Sequence, residues 1–352
     1  MHSSKLRRSV AVAVLAGFAA MAGAADAQDT SWAAAVAAMK NAPAETPPAG
    51  AVYHIAKAHQ IAKGDAYLTK WIDGGVLCQS PKISGAMFTA SRTKDVESVP
   101  WKPVKMFDNL WMFGNAYAKA LVLKTSVGLV MIDTTDNSDE AQNIVEKGMV
   151  QMGLNPADLK YILLTHGHGD HWGGAEYFQS KYHPKVAALP EDWALIENPQ
   201  NAGWKGLPKP THDMDLADGQ DLTIGDVTIH IIKTPGHSPG VASMIVPIKD
   251  KGKVHNMALW GGTAYGNALQ MHDSLHKLWA VSQAYHADGM LNTHAFVNLV
   301  DDQIASLPKA KTNPFILGEK ELNRLFSVQD ECNEAYLSWL AVAPPRAGGG
   351  GE

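Results

Sequence analysis

The segment that most constrains this chain is residues 163–172, which read LLTHGHGDHW. An apolar run over 161–164 is typical of a buried strand, and three histidines and one aspartate follow within 166–171. Glycines separate these residues, and glycine admits backbone conformations in which the four side chains can converge. Because imidazole and carboxylate suit zinc and similar divalent metals, the pattern predicts a metal site with surplus ligands for a second metal. A polar loop with exposed histidines is the alternative.

Two further histidines follow predicted strands. His237 lies within the segment TPGHSPG, between glycine and proline turns, directly after the apolar stretch 227–232. His294 follows a short predicted strand over 290–292, but the motif around it is weaker. We expect both to be metal ligands, because each follows a strand end as the first motif does. A histidine satisfied by local hydrogen bonds is the alternative for His294.

Charge and cysteine content exclude some classes of protein. The chain has 352 residues and a net charge of -5, which gives no reason to expect a nucleic-acid partner. Its two cysteines, Cys78 and Cys332, are too few for a disulfide framework and lack metal-ligand spacing. They could form one bridge in an oxidising compartment, although the sequence does not show that they meet.

The first 27 residues are typical of an export signal. Lys5, Arg7 and Arg8 form a basic start, residues 10–20 are apolar, and the small residues of 25–27 predict cleavage near Ala27. A periplasmic or secreted protein without stable membrane insertion is therefore expected. A retained membrane anchor is one alternative, and export by the twin-arginine route is another.

The order of predicted elements indicates the architecture. Helices are expected over 31–40 and 52–71, a linker lies at 42–50, and 73–103 has no clear period. From Val104 onward, strands followed by helices occur twice, which favours paired sheets with helices outside. The predicted divisions are an N-terminal extension (28–103), a catalytic domain (104–300), a C-terminal helical segment (301–345) and a flexible tail (346–352).

The His-x-His-x-Asp-His spacing resembles that of the metallo-β-lactamase superfamily. The similarity extends from about Val104 to Val300 and includes, in order, an aspartate after a strand (Asp133), the histidine motif, the Gly-His-Ser-Pro-Gly segment and His294. The resemblance implies an α+β fold, a four-layer αββα sandwich, with metals at the edge between its sheets. It is closest to the third subclass of metallo-β-lactamases, whose ligands are histidine and aspartate without cysteine.

The resemblance also assigns roles to single residues. Two zinc ions are implied, which would lower the pKa of a shared water so that hydroxide attacks a carbonyl carbon, oriented by Asp170. Asp133 would support the histidine loop, and Trp172, Trp204, Tyr265 and Ser243 are candidates for the substrate pocket. The first ion would be held by His166, His168 and His237, and the second by Asp170, His171 and His294.

Two positions depart from related families. Glyoxalase II and flavodiiron proteins place a bridging aspartate after a late strand, whereas 259–265 read LWGGTAY, without a carboxylate. This absence favours a lactamase-like enzyme over those two branches. Val241 follows Gly240 at the position where these lactamases tend to carry a serine near the substrate carboxylate, and Ser243 is the candidate to replace it.

The leading hypothesis is a secreted zinc hydrolase that opens a cyclic amide, with β-lactams as first candidates and antibiotic resistance as a consequence. A lactonase, esterase or thioesterase is an alternative, because the metals do not choose the leaving group. An iron-dependent oxidoreductase of the persulfide-dioxygenase type and a metal-binding protein without turnover are further alternatives. The expected partner is a small-molecule substrate, and the oligomeric state is not specified by the sequence.

Overall fold

A computed structural model describes residues 30–97, 99–198, 204–262, 266–294 and 299–342. The predicted signal sequence (1–27), Tyr265 and the tail (346–352) lie outside these ranges. Among the helices that are described, none combines the length and hydropathy needed to cross a lipid bilayer.

The first sheet has seven strands, which lie side by side in chain order. The pairs from β1 to β4 are antiparallel, and those from β4 to β7 are parallel. Strand β3 is buried on both faces over most of its length, as expected of a strand covered on each side. The strands are β1 (Val104–Lys105), β2 (Leu110–Gly114), β3 (Lys119–Thr125), β4 (Gly128–Ile132), β5 (Leu159–Leu163), β6 (Lys185–Ala188) and β7 (Met214–Asp215).

The second sheet has five strands in the order β12-β11-β10-β9-β8. All of its pairs are antiparallel except β11–β12, which is parallel. Its strands are β8 (Asp221–Ile224), β9 (Val227–Lys233), β10 (Ala242–Asp250), β11 (Lys253–Leu259) and β12 (Gly289–Leu291).

Helices precede, interrupt and follow the strands. The N-terminal ones are α1 (Thr30–Asn41), α2 (Ala49–Ala62), α3 (Ala66–Gly74), α4 (Pro81–Ser91) and α5 (Lys94–Glu97). Next come α6 (Ser138–Glu140) and α7 (Lys147–Gln151), joined by a π-helical stretch (Ala141–Glu146), then α8 (Gly169–Trp172), α9 (Ala175–Tyr182) and α10 (Pro190–Glu197). The last are α11 (Ala268–Ala284), α12 (Val300–Ser306) and α13 (Glu319–Val342).

Three buried apolar clusters define four layers. Between the sheets, side chains such as Ile132 of β4 and Ile231 of β9 pack together. On the outer face of the first sheet, Met131 packs with Phe178 of α9 and with the helices before and after it. On the outer face of the second sheet, Ile245 packs with Leu278 of α11 and with further helices. The predicted αββα arrangement is therefore confirmed.

The N-terminal extension and the C-terminal helix form one cover over the second sheet. Trp71 of α3 and Phe326 of α13 belong to the same buried cluster, and a disulfide joins Cys78 to Cys332, whose Cα atoms are 4.5 Å apart. The two terminal segments, which are distant in sequence, are thus held together covalently as well as by apolar contact.

Two expectations for the extension were wrong or incomplete. The single helix predicted over 52–71 is two helices, because Gly64 has a φ of 82° and Asp65 caps α3 by accepting a hydrogen bond from Leu68 N at 3.0 Å. The stretch 73–103, in which the sequence showed no period, contains α4, which begins after the capping residue Ser80.

A buried lysine lies where the first sheet approaches the end of β12. Lys119 is 0% exposed, its Nζ donates a hydrogen bond to Asn115 O, and it lies 4.1 Å from the centre of the Trp101 ring. Its backbone N–H donates to Thr293 O at 2.9 Å, which ties β3 to the segment before His294. Burial lowers the pKa of Lys119 to about 7, despite nearby carboxylates such as Asp301.

The disulfide yields a prediction about stability. Replacing both Cys78 and Cys332 by serine should lower the free energy of unfolding by about 2–5 kcal/mol, because the open chain gains conformational freedom when unfolded. Urea unfolding with and without reductant measures this. Reductant should destabilise the wild-type protein and leave the double variant unchanged. Equal unfolding midpoints for the two proteins without reductant would contradict the prediction.

Lys119 yields a prediction about pH. Between about pH 7 and pH 10.5 the unfolded chain keeps the lysine proton that the folded chain has lost, so stability should rise with pH by up to about 1.4 kcal/mol per pH unit. Lys119→Met should remove this contribution, whereas Lys124→Met, at an exposed position of the same strand, should not. The measurement is the free energy of unfolding between about pH 7 and pH 10.5. The same pH dependence in wild type and Lys119→Met would refute the lowered pKa of Lys119.

Candidate metal centre

The ends of four strands bring the predicted site residues to one edge of the sandwich. Asp133 follows β4, the histidine loop follows β5, His237 follows β9 and His294 follows β12. Parallel strands present their carboxyl ends on the same side, so the first two segments are neighbours. The inter-sheet packing then sets the segments after β9 and β12 opposite them.

His166, His168 and His237 form the first cluster. The Nε2 atoms of His166 and His237 are 3.1 Å apart, and the His168 ring centre lies 4.7 Å from that of His166 and 4.6 Å from that of His237. One nitrogen from each of the three rings lies within 4.8 Å of the others. Three imidazole nitrogens at this spacing can bind one divalent ion.

Asp170, His171 and His294 form the second cluster, which adjoins the first. The Nε2 atoms of His171 and His294 are 3.1 Å apart, and Asp170 Oδ2 lies 3.5 Å and 3.4 Å from them. The His166 and His171 ring centres are only 3.9 Å apart. The two clusters therefore share one buried space.

Acceptors outside the clusters fix the direction of three imidazoles. His166 Nδ1 lies 2.8 Å from Gly261 O, His171 Nδ1 lies 2.7 Å from Asp133 Oδ2, and His294 Nδ1 lies 3.1 Å from Tyr117 O. A carbonyl or carboxylate oxygen can only accept, so each Nδ1 carries the hydrogen.

This arrangement turns the Nε2 atoms of these three rings toward the interior of the site. If His171 and His294 were both neutral, their Nε2 lone pairs would face each other at 3.1 Å and repel, so this pair requires a cation: a metal ion, or the proton that His171 carries when no metal is bound. The donor set therefore fits divalent metal ions of the kind that imidazole and carboxylate bind.

Charge in the site favours a cation near Asp170. Burial lowers the pKa of His171, but the charges of Asp133 and Asp170 outweigh it and raise that pKa to about 9. Burial would raise the pKa of Asp170, but the surrounding cationic groups hold it well below its usual range. Burial lowers the pKa of His294 to about 3, so this ring is neutral and can act as a ligand.

Asp133 is buried and anchors the histidine loop through hydrogen bonds. Its Oδ1 accepts from Thr165 N at 2.8 Å, and its Oδ2 accepts from Thr165 Oγ1 at 2.8 Å and from His171. Asp133 adopts a φ of 59°, a conformation that is uncommon outside glycine. Asp133 thus contacts the histidine loop and belongs to neither cluster of potential ligands.

Asp192 is a supporting residue that the sequence did not indicate. Its carboxylate accepts from Ser238 Oγ and from Val241 N, each at 2.7 Å, and so holds both sides of the turn that carries His237. Val241 has a φ of 49°, which is strained for a β-branched residue, and the bond to Asp192 stabilises it there. Burial raises the pKa of Asp192 to about 6.

Arg92, from the end of α4, is a second residue that sequence reasoning missed. Its guanidinium carbon lies 5.6 Å from the centre of the Tyr117 ring, which in turn lies 4.7 Å from the His294 ring. The Arg92 charge helps to lower the pKa of both Asp170 and His168. The extension thus adds a positive charge to the site, and no local motif marks this arginine.

Two candidates for the substrate pocket are core residues instead. Trp172 is 1% exposed and belongs to the buried cluster on the outer face of the first sheet. Its Nε1 donates to Gly167 O at 3.0 Å, and this hydrogen bond stabilises the histidine loop. Ser243 is 0% exposed and its Oγ lies 2.6 Å from Thr234 Oγ1, so it cannot replace the missing serine. Tyr265 lies outside the described residues.

Trp204 does contact the metal centre. The centre of its ring lies 4.9 Å from that of the His168 ring, and the two ring planes are tilted by 30°. A Cβ on Gly169 would come within 1.9 Å of the Trp204 ring, so the close approach requires glycine there. Trp204 therefore packs against the histidine loop at His168 and Gly169.

Comparison with known proteins relates part of the chain to one superfamily. Residues 116–250 match the family model described as "Metallo-beta-lactamase superfamily". Among solved structures, the subclass B3 metallo-β-lactamase of Bradyrhizobium japonicum is similar, at 24% identity and a TM-score of 0.60, over 70% of this chain and 96% of that one. A motif mutant of the metallo-β-lactamase from Cronobacter sakazakii is 26% identical over 70% of this chain and 100% of that one, with a TM-score of 0.58.

Curated relatives match over shorter stretches. An uncharacterised protein of Aquifex aeolicus is 30% identical over 31% of this chain, and the chain spans 51% of that relative's length. A hydroxyacylglutathione hydrolase of Hamiltonella defensa is 27% identical over 55% of this chain and 76% of the relative.

The anchor role of Asp133 yields a prediction. In Asp133→Asn, either orientation of the amide sets its NH2 group against the Thr165 N–H or the His171 Nδ1–H. Either His171 Nδ1–H or the Thr165 N–H of the histidine loop loses its acceptor, so zinc affinity of the second cluster should fall about 10–100-fold, as for other outer partners of metal ligands. Competitive zinc titration measures this, with the exposed Asp158→Asn as control. Unchanged affinity in Asp133→Asn would exclude the anchor role.

Proposed function

We propose that this chain, which carries a domain of the metallo-β-lactamase superfamily, is a zinc-dependent hydrolase that opens cyclic amides of the β-lactam kind. The single observation that supports this most is the pair of adjoining clusters, His166/His168/His237 and Asp170/His171/His294. Both cysteines are in a disulfide, so neither is available as a ligand, as in the all-histidine and aspartate subclass.

The protein side chains would hold two ions, and a bound zinc supplies Lewis acidity and lowers the pKa of water toward neutrality. Asp170 remains ionised because neighbouring cationic groups stabilise its charge, and it is 4% exposed. An ionised carboxylate only accepts hydrogen bonds, so Asp170 can orient an attacking water by accepting its hydrogen. Asp133 keeps His171 in the tautomer that presents Nε2 to the site.

The charge of Arg92 supports a substrate that carries an anionic group. The guanidinium lies over the Tyr117 ring, next to His294, so a carboxylate beside the scissile bond would meet a cation on that side. β-Lactam antibiotics combine a strained amide with such a carboxylate. Because Ser243 is buried, Arg92 is a better candidate than Ser243 for this contact.

A thioesterase acting on an anionic thioester is the second candidate, and the similarity to a hydroxyacylglutathione hydrolase favours it. One feature of the site separates the two. A Cβ on Gly262 would lie 2.9 Å from His237 Cβ, so this position, in the segment where glyoxalase II places a bridging aspartate, leaves no space for a side chain. We therefore place the cyclic amide first.

The site of action we propose is the periplasm or the cell exterior. The basic, apolar and small-residue segments of 1–27 are typical of an export signal, with cleavage near Ala27. The Cys78–Cys332 disulfide supports this, because such bonds persist in oxidising compartments. The catalytic unit would span 104–300, with the terminal segments as its cover.

Hydrolysis of a chromogenic cephalosporin by the mature protein tests the proposal. Turnover should be lost with chelator and restored by zinc, and Asp170→Asn should reduce kcat/KM about 100-fold or more, since the orienting carboxylate is gone. Asp139→Asn, at an exposed position, should retain wild-type turnover. Full activity of Asp170→Asn would contradict the mechanism.

The same preparation should be offered an anionic thioester and a lactone. Turnover of the thioester alone, dependent on zinc and on Asp170, would replace the cyclic amide by the second candidate. No zinc-dependent turnover of any of the three substrates would overturn the proposed hydrolase.

A further inference from the structure

A second group of potential ligands lies away from the sheet edge, on the helical cover. His272 and His276 of α11 and Asp330 and Glu334 of α13 converge there. His276 Nε2 lies 2.7 Å from Asp330 Oδ1, and His272 Nε2 lies 3.2 Å from the same oxygen and 3.3 Å from Glu334 Oε1. One nitrogen of each histidine and a carboxylate oxygen of Asp330 all lie within 4.8 Å of one another.

The two histidines are spaced to bind one ion together. Residues four apart lie on the same face of a helix, and the centres of these two rings are 4.5 Å apart. Two histidines at this spacing on a helix, completed by a carboxylate from elsewhere, are a recurrent zinc-binding arrangement. With zinc–ligand bonds of about 2.0–2.1 Å, tetrahedral ligand atoms lie about 3.3–3.5 Å apart. The two distances from His272 Nε2 are close to this value.

One atom of the cluster lacks a conventional partner. His272 Nε2 is buried and makes no hydrogen bond within the ranges that the structure describes, although two carboxylate oxygens are near it. A buried polar atom without a hydrogen bond is unfavourable, and a cation between the nitrogen and the carboxylates would satisfy it.

The helices that carry the ligands are positioned independently of any ion. Trp279 of α11 stacks on Phe326 of α13 at 5.8 Å between ring centres, and its Nε1 donates to Asn323 Oδ1 at 2.6 Å. Trp279 continues the stripe of His272 and His276. The antiparallel partner helix presents its carboxylates next to that stripe, so the ligands are preorganised.

We propose that His272, His276, Asp330 and Glu334 form a third divalent-metal site, with zinc as its ion, that clamps α11 to α13. The clamp would act beside the Cys78–Cys332 bond, two residues from Asp330. It would also steady the start of α11, where Asn267 N donates to Gly236 O, next to the turn that carries His237. The site is independent of the proposed catalytic function.

The test measures zinc bound to the mature full-length protein after chelation and reloading with zinc alone, together with the melting temperature. The wild type should bind one ion more than His276→Gln, whose amide can still donate to Asp330 but does not replace imidazole as a ligand. Zinc added beyond the first two ions should raise the melting temperature of the wild type and not that of His276→Gln. Glu334→Gln is a second variant, should the first fold poorly.

Two controls assign each ion. His59→Gln alters an exposed histidine paired with Asp73 at 3.3 Å and should change neither measurement. His237→Gln should lose an ion at the sheet edge and keep the one between the helices. If His237→Gln and wild type bind the same single ion and His276→Gln binds none, the clamp stands and the proposed catalytic centre fails. Equal zinc content and equal zinc response in wild type, His276→Gln and Glu334→Gln would overturn the clamp.

Discussion

The site depends on fixed imidazoles whose ring nitrogens face one another in a buried space. His166, His171 and His294 each donate from Nδ1 to an oxygen that can only accept, so their Nε2 atoms point inward. The His171 and His294 Nε2 atoms, 3.1 Å apart, are stable together when they share a cation, either a metal ion or the proton that His171 carries without metal. The oxygens that accept from the three Nδ1–H groups therefore contribute to the expected metal affinity together with the ligands.

The sandwich supplies those oxygens from parts of the chain that are far apart in sequence. Asp133 comes from the end of β4, the Gly261 carbonyl follows β11, and the Tyr117 carbonyl precedes β3. Apolar packing between the sheets holds these segments in register. A disulfide joins the N-terminal extension to α13, and both cover the outer face of the second sheet. The extension also places Arg92 over the Tyr117 ring, next to His294. The cover is therefore part of the site as well as of the fold.

Much of this could be predicted from sequence, because the information was local. The glycine-spaced histidine loop, the turn around His237 and the alternation of strands and helices follow from neighbouring residues, and the layer order matched. Asp192 and Arg92 could not be predicted, since their roles arise from contacts with Ser238, Val241 and Tyr117 across the fold. Trp172 and Ser243 were misjudged because sequence proximity to a ligand does not reveal on which side of the backbone a side chain lies.

The most direct test of the metal centre is anomalous X-ray diffraction at the zinc absorption edge, on crystals of the full mature protein loaded with zinc. We expect anomalous density among the nitrogens of His166, His168 and His237, and a second peak beside Asp170, His171 and His294. A folded protein whose zinc binds only elsewhere, with the six side chains in place and no anomalous density among them, would contradict the assignment of this edge of the sandwich as a metal centre.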